Sequence, residues 1–273
     1  MEEIRLKTWE DFEKAVNDEY AFAESLQNEN QWTYVSDILF RGHANAEWKL
    51  ETTLERFCSE KDLIIEPVKW SDYHHILGSI NPFFSSFTDN KFSISHDFKE
   101  DCSSRNVPPC YDFMVHVRHH GFPSPLLDWT ASPYVAAFFA FENATAEKDV
   151  SIYLYREYSA QAKSGWVGEP RIESLGPYVN THKRHYLQQC QYTICFKEKP
   201  DDNHEYSFHE SVRFSADRTE QDFLKKFILP SSERKKVLKK LDLMNINAFS
   251  LFNSEETMLS TLAYREIELK NRN

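Results

Sequence analysis

The stretch from residue 118 to 141, RHHGFPSPLLDWTASPYVAAFFAF, limits the folds open to this chain more than any other part of the sequence. Gly121 predicts the end of a helix, because glycine is common just past helix C-termini, and the two prolines that follow keep the backbone extended. Residues 126–129 then predict a short apolar strand. Ser132, with a proline directly after it, predicts the cap of a new helix, which is apolar almost all round and therefore buried.

Asp128 is the one charged residue in this apolar strand, and it is the first candidate for a functional role. A carboxylate between a core strand and a core helix is costly to bury unless it is hydrogen-bonded or ion-paired. Two interpretations fit the sequence. Asp128 is a structural brace that holds backbone amides at the start of the helix, or it is part of a polar site.

The composition indicates a folded chain of one large or two small domains. Of its 273 residues, 41% are apolar and 15% aromatic, enough for a sizeable core. Only 6 residues are glycine, and neither GxGxxG nor GxxxxGK[ST] occurs, so Rossmann and P-loop nucleotide binding lose their support. Short strand patterns alternate with helical patterns, and some strands follow one another directly. This order predicts an α+β fold, a single domain with a mixed, mostly antiparallel sheet flanked by helices.

The hydrophobic pattern also predicts the domain organisation. Residues 1–29 contain an amphipathic helix over 9–27, and residues 30–265 form the main domain, with a helical insertion at about 58–110 that covers or borders the site. We further expect strands at 34–40, 150–155 and 191–196, a loop at 160–177, a polar helix at 182–189, pairing of 212–214 with 227–229, and a helix over 233–243 capped by Ser231 or Ser232.

Charge and cysteine content bound the environment of the protein. The net charge of -11 argues against non-specific binding to nucleic acid or to an anionic membrane. The 5 cysteines, an odd number with no CxxC pair, fit reduced thiols better than a disulfide framework. The N-terminus begins with acidic residues, and no apolar segment of about 18 residues occurs. We therefore expect a soluble, cytoplasmic protein with no membrane partner.

Arg41 ends an apolar strand pattern and is followed by glycine, which makes it a candidate receptor for an anion. A guanidinium keeps its charge and can hold a phosphate or carboxylate by two parallel hydrogen bonds. The alternative is an ion pair with Asp128 or with a surface acid. Because polar residues from separate strands can converge at one end of a sheet, Arg41, Asp128, Gln189 and Gln191 form the candidate constellation.

The histidines raise the question of a metal site, because two groups of them lie close together in sequence. These groups are His116, His119 and His120, and His182 and His185. Neither group contains HExxH, nor a cysteine or acid at metal-ligand spacing. We therefore predict no metal, and we interpret His119 and His120 as favourable charges at the negative end of a helix dipole.

Two motifs give the chain a family likeness. The first is Phe40-Arg41-Gly42, followed by Trp48, Leu50 and Arg56, and the second is HHGFPSPLLDWTASPYVAAFFA. Together they resemble the FRG domain, which is named for its Phe-Arg-Gly motif. The second family motif is typically QHxGxPTRLLDWT, followed by a helix that ends in Phe-Ala. Further along the chain, Arg184 and Gln189 resemble another segment of the family. The chain departs from the pattern at Ser124-Pro125, where the family usually has Thr-Arg, and at His119, where it usually has Gln.

A second resemblance is to ADP-ribosyltransferases. Members of that family have three features in a fixed order along the chain. These are an Arg or His on a first strand, then a strand and helix with small and aromatic residues, and then a Glu leading a later strand. Arg41, the run from Asp128 to Phe139, and Gln191 follow the same order, with Gln in place of Glu. The resemblance implies an ADP-ribosyltransferase-like core and NAD as substrate, in an ADP-ribosyltransferase or NAD glycohydrolase that acts as a bacterial toxin or phage-defence effector.

The resemblance also implies roles for individual residues. Arg41 would hold the pyrophosphate, Asp128 would orient the site, and Gln189 or Gln191 would bond the ribose. The residues expected to contact the substrate are Gly42, His43, His120, Trp129, Thr130, Tyr134, Phe138 and Arg184, with the aromatic side chains packing against nicotinamide or adenine. The alternative is a non-catalytic module that binds a nucleotide, another phosphate-bearing ligand or a protein partner. The missing Glu and the missing second Arg favour this alternative.

Overall fold

One sheet organises the chain, and its strands come from both halves of the sequence. The structure, a computed structural model, describes residues 1–29, 34–63, 68–101, 107–161, 163, 168–177, 179, 181, 183–220 and 222–270. Its strands are β1 (Glu2–Arg5), β2 (Leu39–His43), β3 (Leu126–Thr130), β4 (Val150–Arg156), β5 (Pro170–Ser174), β6 (Cys190–Lys197), β7 (Glu205–Tyr206) and β8 (Phe223–Leu229). Its α-helices are α1 (Trp9–Glu29), α2 (Thr53–Glu60), α3 (Trp70–Phe87), α4 (Phe98–Asp101), α5 (Tyr111–His119), α6 (Pro133–Glu142), α7 (Arg184–Leu187), α8 (Arg234–Leu243), α9 (Ala248–Phe252) and α10 (Glu255–Ala263).

The strand order is β1-β8-β4-β2-β3-β6-β5, with β7 paired to β6. β1 runs parallel to β8, and the other neighbours are antiparallel. This confirms the predicted α+β fold with a mixed, mostly antiparallel sheet flanked by helices. The two sequence motifs lie on β2 and β3, which are neighbours at the centre of the sheet.

The region around β3 forms for the local reasons that the sequence predicted. Gly121 takes a φ of +89° just past the end of α5, a conformation that glycine adopts without steric cost. The Ser132 hydroxyl accepts a hydrogen bond from the Val135 amide at 3.3 Å and caps α6, whose first residue is a proline. Most of α6 is buried, so the prediction of a core helix is confirmed.

Gly42 permits β2 and α6 to lie in direct contact. A Cβ atom at this position would be 1.9 Å from the carbonyl oxygen of Ala136 and 2.7 Å from the amide nitrogen of Ala140. Any larger residue would therefore collide with the helix backbone. The glycine of the Phe-Arg-Gly sequence has a packing role in this structure.

The two faces of the sheet carry different side chains, because side chains alternate along a strand. Phe40, Gly42, Asp128 and Thr130 face α5 and α6, and we call this side the α6 face. The side chains of the intervening residues, which include Arg41, His43 and Trp129, lie on the opposite side, the Trp129 face.

The main core lies on the α6 face and includes α1. Trp9 and Phe12 of α1 pack against the sheet, with the Phe12 and Phe227 ring centroids 5.6 Å apart. α3, in the predicted insertion, packs with α5 in a second cluster, and the Tyr73 hydroxyl donates to the Pro123 carbonyl at 2.6 Å. The N-terminal helix and the insertion therefore both contribute to cores that rest on this sheet.

Several predicted elements differ from the structure. β2 begins at Leu39, so Arg41 lies inside the strand and not at its end. β5 lies in the segment 160–177, which was predicted as a loop. The polar helix predicted over 182–189 is shorter and corresponds to α7. Residues 212–214 form no strand, and β8 pairs instead with β4 and with β1, which was not predicted. Ser231 and Ser232 lie in a 3₁₀ turn, and α8 begins at Arg234 without a side-chain cap.

In the part of the chain that the structure describes, no helix combines the length and the apolar character needed to span a bilayer.

Candidate functional site

Arg41 lies inside β2 on the Trp129 face, where two neutral acceptors hold its guanidinium. Nε donates to Nε2 of His43 at 3.0 Å, and Nη1 donates to the backbone carbonyl oxygen of Asp128 at 2.8 Å. Burial lowers the pKa of Arg41 to about 10, and the charges of Arg118 and Arg56 oppose the attraction of Asp128. The group is still charged at neutral pH. Among the described residues, no carboxylate forms an ion pair with it.

A cavity of about 430 Å³ opens beside this arginine, where the segment after β2 meets α2. We call it the motif pocket. Its wall consists of His43, Trp48, Lys49, Glu51, Arg56, Ser59 and Glu60. Since His43 accepts the hydrogen bond from Arg41, the Arg41 guanidinium lies directly behind the pocket wall.

His43 joins the pocket to the sheet. Burial and the charge of Arg41 hold the pKa of His43 well below its usual value of 6.5, so the imidazole is neutral and can accept from Arg41. Its ring centroid is 5.2 Å from that of Tyr153 and 6.1 Å from that of Trp48. Trp48 is 50% exposed, which leaves part of its ring accessible to a ligand.

Asp128 lies on the α6 face, where it forms a two-pronged ion pair with Arg118 of α5. One prong joins Nη2 to Oδ2 at 2.6 Å, and the other joins Nε to Oδ1. Arg118 also donates from Nη1 to the Thr53 hydroxyl at 2.6 Å, which ties α5 to the start of α2. Burial would raise the pKa of Asp128, but the charge and hydrogen bonds of Arg118 outweigh it and lower the pKa below 3.8. The partner of the Asp128 carboxylate is therefore an arginine and not the backbone amides that the sequence suggested.

The sheet separates Arg41 from the Asp128 carboxylate. The sequence left open an ion pair between them, and the structure shows that Asp128 pairs with Arg118, while Arg41 reaches only its backbone carbonyl. The two side chains are close along the sheet, but they open onto different faces.

The two glutamines are also separated. Gln191 pairs with Trp129 in the β3–β6 register, so it lies on the Trp129 face, two strands from Arg41. Gln189 is exposed just before β6, with a φ of +49°, and its carbonyl accepts the Ala131 amide at 3.0 Å. Neither glutamine lines the motif pocket.

Trp129 belongs to a buried polar network on its face of the sheet. Its indole Nε1 donates to the Thr193 hydroxyl at 2.9 Å, and that hydroxyl lies 2.9 Å from Nε2 of His209. Trp129 is 4% exposed and packs on Tyr155, so its ring is already covered by protein.

Three further candidates have internal roles. The Thr130 hydroxyl donates to the Gln188 carbonyl at 2.7 Å and accepts from the Ser132 amide at 3.1 Å. Tyr134 packs at the edge of the main core, 6.2 Å from Trp9 between ring centroids. Phe138 is buried in that core and lines a separate cavity of about 390 Å³ between α6, α8 and α10.

The last two candidates, His120 and Arg184, lie near the C-terminal end of α5. His120 is the C-cap residue of that helix, with its ring 4.8 Å from the ring of His116. Arg184 donates to the His119 carbonyl at 3.2 Å and lies over the Phe252 ring. His182 lies outside the described residues. Neither His120 nor Arg184 lines the motif pocket.

The sequence interpretation missed Arg118 as the partner of Asp128. The signal was present, because Arg118 begins the same stretch, and a turn with one glycine and two prolines brings the chain from α5 back to β3. Trp48 and Arg56, which line the motif pocket, were also not predicted to have a role there.

Comparison with known proteins agrees with the first of the two resemblances. The FRG domain family model matches residues 36–149. The matched segment contains β2, the motif pocket, α5, β3 and α6. No curated protein and no solved structure matches the chain significantly.

Proposed function

We propose that the FRG domain of this chain binds the phosphate groups of a nucleotide-type ligand in the motif pocket, with the charge of Arg41 behind the pocket wall as the attraction for the anion. The observation that carries the proposal is the charge of Arg41, which forms no ion pair among the described residues and which His43 and one backbone carbonyl hold in place. Taking a cation out of water costs several kcal/mol unless it is paired. A phosphate in the pocket would lie across His43 from the guanidinium and offset its charge, while Lys49 and Arg56, which line the wall, would contact the phosphate directly.

The pocket wall suits a ligand that has both a charged and an aromatic part. Lys49 and Arg56 bring two positive charges, and Glu51 and Glu60 offset them, so Arg41 determines the sign of the local charge. The exposed part of the Trp48 ring offers a surface on which a base can stack. NAD and ADP-ribose combine a pyrophosphate with a base in this way.

Consumption of NAD is the second candidate function, and a separate observation favours it. Gln191 cannot place negative charge beside a developing oxocarbenium ion, and it lies outside the pocket wall. Glu51 and Glu60, in contrast, both line the pocket. A carboxylate in the pocket wall would stabilise the positive charge that develops on the ribose as its bond to nicotinamide breaks. An acceptor protein would then make the activity ADP-ribosyl transfer, and water would make it hydrolysis.

The binding proposal is tested by thermal unfolding of the purified chain with NAD, ADP-ribose or inorganic phosphate. A ligand at 100 times its dissociation constant adds about 2.7 kcal/mol, a rise in Tm of roughly 5 °C or more for a chain of this size. We expect Arg41→Ala to fold and to lose this rise. Arg213→Ala, which removes an exposed arginine elsewhere, should keep it. A full rise in Arg41→Ala would refute the site, and no rise with any of the three compounds in the wild type would refute the function.

Release of free nicotinamide separates catalysis from binding. Release that disappears in Arg41→Ala and falls in Glu51→Gln or Glu60→Gln supports an enzyme. NAD that raises the Tm and is recovered intact supports the binding module.

A further inference from the structure

A cluster of nitrogen and sulfur donors lies on the α6 face, on the other side of the sheet from the motif pocket. It consists of His119 at the end of α5, His185 in α7 and Cys190 at the start of β6. One ligand atom from each residue lies within 4.8 Å of the other two. The two histidines are partly exposed and the cysteine is buried, so an ion could reach the cluster from solvent.

The donor set is one that zinc prefers. Imidazole nitrogen and cysteine thiolate are its usual protein ligands, and they select late transition metals over magnesium or calcium. In a tetrahedral zinc site, bond lengths of about 2.0 to 2.3 Å place neighbouring ligand atoms roughly 3.3 to 3.7 Å apart. The cluster therefore needs a contraction of about 1.5 Å at most to reach these separations.

The two histidine side chains already point towards a common position, which the Tyr192 hydroxyl marks. That hydroxyl is 2.6 Å from Nε2 of His119 and 3.1 Å from Nδ1 of His185. Nε2 of His185 lies 3.0 Å from the Pro177 carbonyl oxygen, which can only accept, so Nε2 carries the proton. The Nδ1 lone pair then faces the cluster. A carbonyl that fixes the tautomer of a ligating histidine is the usual outer contact of a metal site.

We propose that His119, His185 and Cys190 bind a divalent transition-metal ion, zinc by preference, with the fourth position open towards Tyr192. The Cys190 thiol proton is released to solvent when the thiolate binds. The Tyr192 hydroxyl has one proton, which it donates to Nδ1 of His185, so it accepts from Nε2 of His119. The Nε2 proton moves to Nδ1 of His119 on binding, which frees the Nε2 lone pair for the ion. The ion would join α5, α7 and β6. The site is separate from the motif pocket, so a failure of the metal proposal would leave the proposed function untouched, and the reverse also holds.

Titration of the metal-free, reduced chain with Co²⁺ tests this site, because cobalt reports its own ligands. We expect one equivalent to bind with a cobalt–thiolate charge-transfer band in the near ultraviolet and visible bands of tetrahedral intensity. One equivalent of Zn²⁺ should then abolish these bands by displacement. A wild-type chain that develops no thiolate band at stoichiometric Co²⁺ would overturn the proposal.

Matched variants locate the ion. His119→Gln should weaken Co²⁺ binding by more than about 100-fold, since loss of even an outer-shell partner costs 10- to 100-fold. Cys190→Ser should abolish the thiolate band. His120→Gln and Cys58→Ser change the same residue types outside the cluster and should leave the titration unchanged. Should Cys190→Ser fail to fold, His119→Gln decides, and wild-type binding in His119→Gln would show that the ion lies elsewhere.

Discussion

At the scale of single residues, the buried charge of Arg118 determines what a substitution of Asp128 does. The Arg118 side chain is 4% exposed and that of Asp128 is 35% exposed. Asp128→Asn leaves the guanidinium buried without a counter-charge, and breaking a buried pair from one side costs about 3 to 5 kcal/mol. Because Asp128 is partly solvated, we expect the lower end, about 3 kcal/mol, in urea unfolding at pH 7.

The same pair gives this prediction a control and a pH dependence. A double variant, Arg118→Met with Asp128→Leu, leaves no charge unpaired and should recover part of the loss. The folded-state pKa of Asp128 is lowered, so its contribution is present above pH 3.8 and is lost as the pH falls through the folded pKa. The difference between wild type and Asp128→Asn should therefore shrink below pH 4. An equal difference at pH 7 and pH 2.5 would contradict this account.

His209 predicts a second pH effect, over a higher range. Burial, followed by the charges of Arg41 and Arg118, lowers the pKa of His209 to about 3. The unfolded chain takes up this proton near pH 6.5, whereas the folded chain does not until about pH 3. The free energy of unfolding therefore falls as the pH drops between these values. His209→Gln should flatten this part of the curve, and an unchanged slope would show that His209 is protonated in the folded chain.

At the scale of elements, the contact between β2 and α6 depends on Gly42. Gly42→Ala would place a Cβ 1.9 Å from a backbone oxygen of α6 and force the two elements apart. We expect a loss of about 3 kcal/mol or more, at the upper end for overpacking. Gly78→Ala in α3 is the matched control, because its Cβ meets nothing closer than 3.9 Å. It should be neutral or stabilising by up to about 1 kcal/mol, and equal losses in the two variants would rule out the collision as the cause.

Elements with strong local signals were predictable, and elements that depend on distant partners were not. α5 and α6 have their stop and start signals in their own sequence, at Gly121 and Ser132. β1 has none, because it forms by pairing with β8, where buried Lys225 forms an ion pair with Glu2. β5 likewise forms along β6, across a segment whose local composition predicts a loop.

The candidate site was predictable to a similar extent. The Phe-Arg-Gly motif located Arg41, but composition cannot show that alternation along β2 and β3 places Arg41 and the Asp128 side chain on opposite faces. The His119–His185–Cys190 cluster was missed for a related reason. Its members come from separate elements, so no spacing rule along the chain connects them.

At the scale of the whole molecule, the family-matched segment holds the motifs but not the partners that stabilise their strands. β2 and β3 share a single register pair, Phe40 with Thr130. In contrast, β2 pairs with β4 over five positions, and β3 pairs with β6 over five. Both β4 and β6 lie beyond residue 149, where the match ends. The core that covers α6 also takes Trp9, Phe12 and Phe227 from outside the segment.

A fragment of residues 36–149 should therefore not fold by itself. Two short strands with one shared pair cannot form a stable sheet in water, since isolated two-stranded pairs are marginal even with full ladders. We expect far-ultraviolet circular dichroism to show a non-cooperative melt for the fragment and a single sharp transition for residues 1–270. Because the motif pocket needs β2 to be held in place by β4, the fragment should also show no Tm rise with NAD or ADP-ribose. A sigmoidal melt of the fragment that shifts with either compound would mean that the matched segment is a self-sufficient binding unit, and that the outer strands serve another purpose.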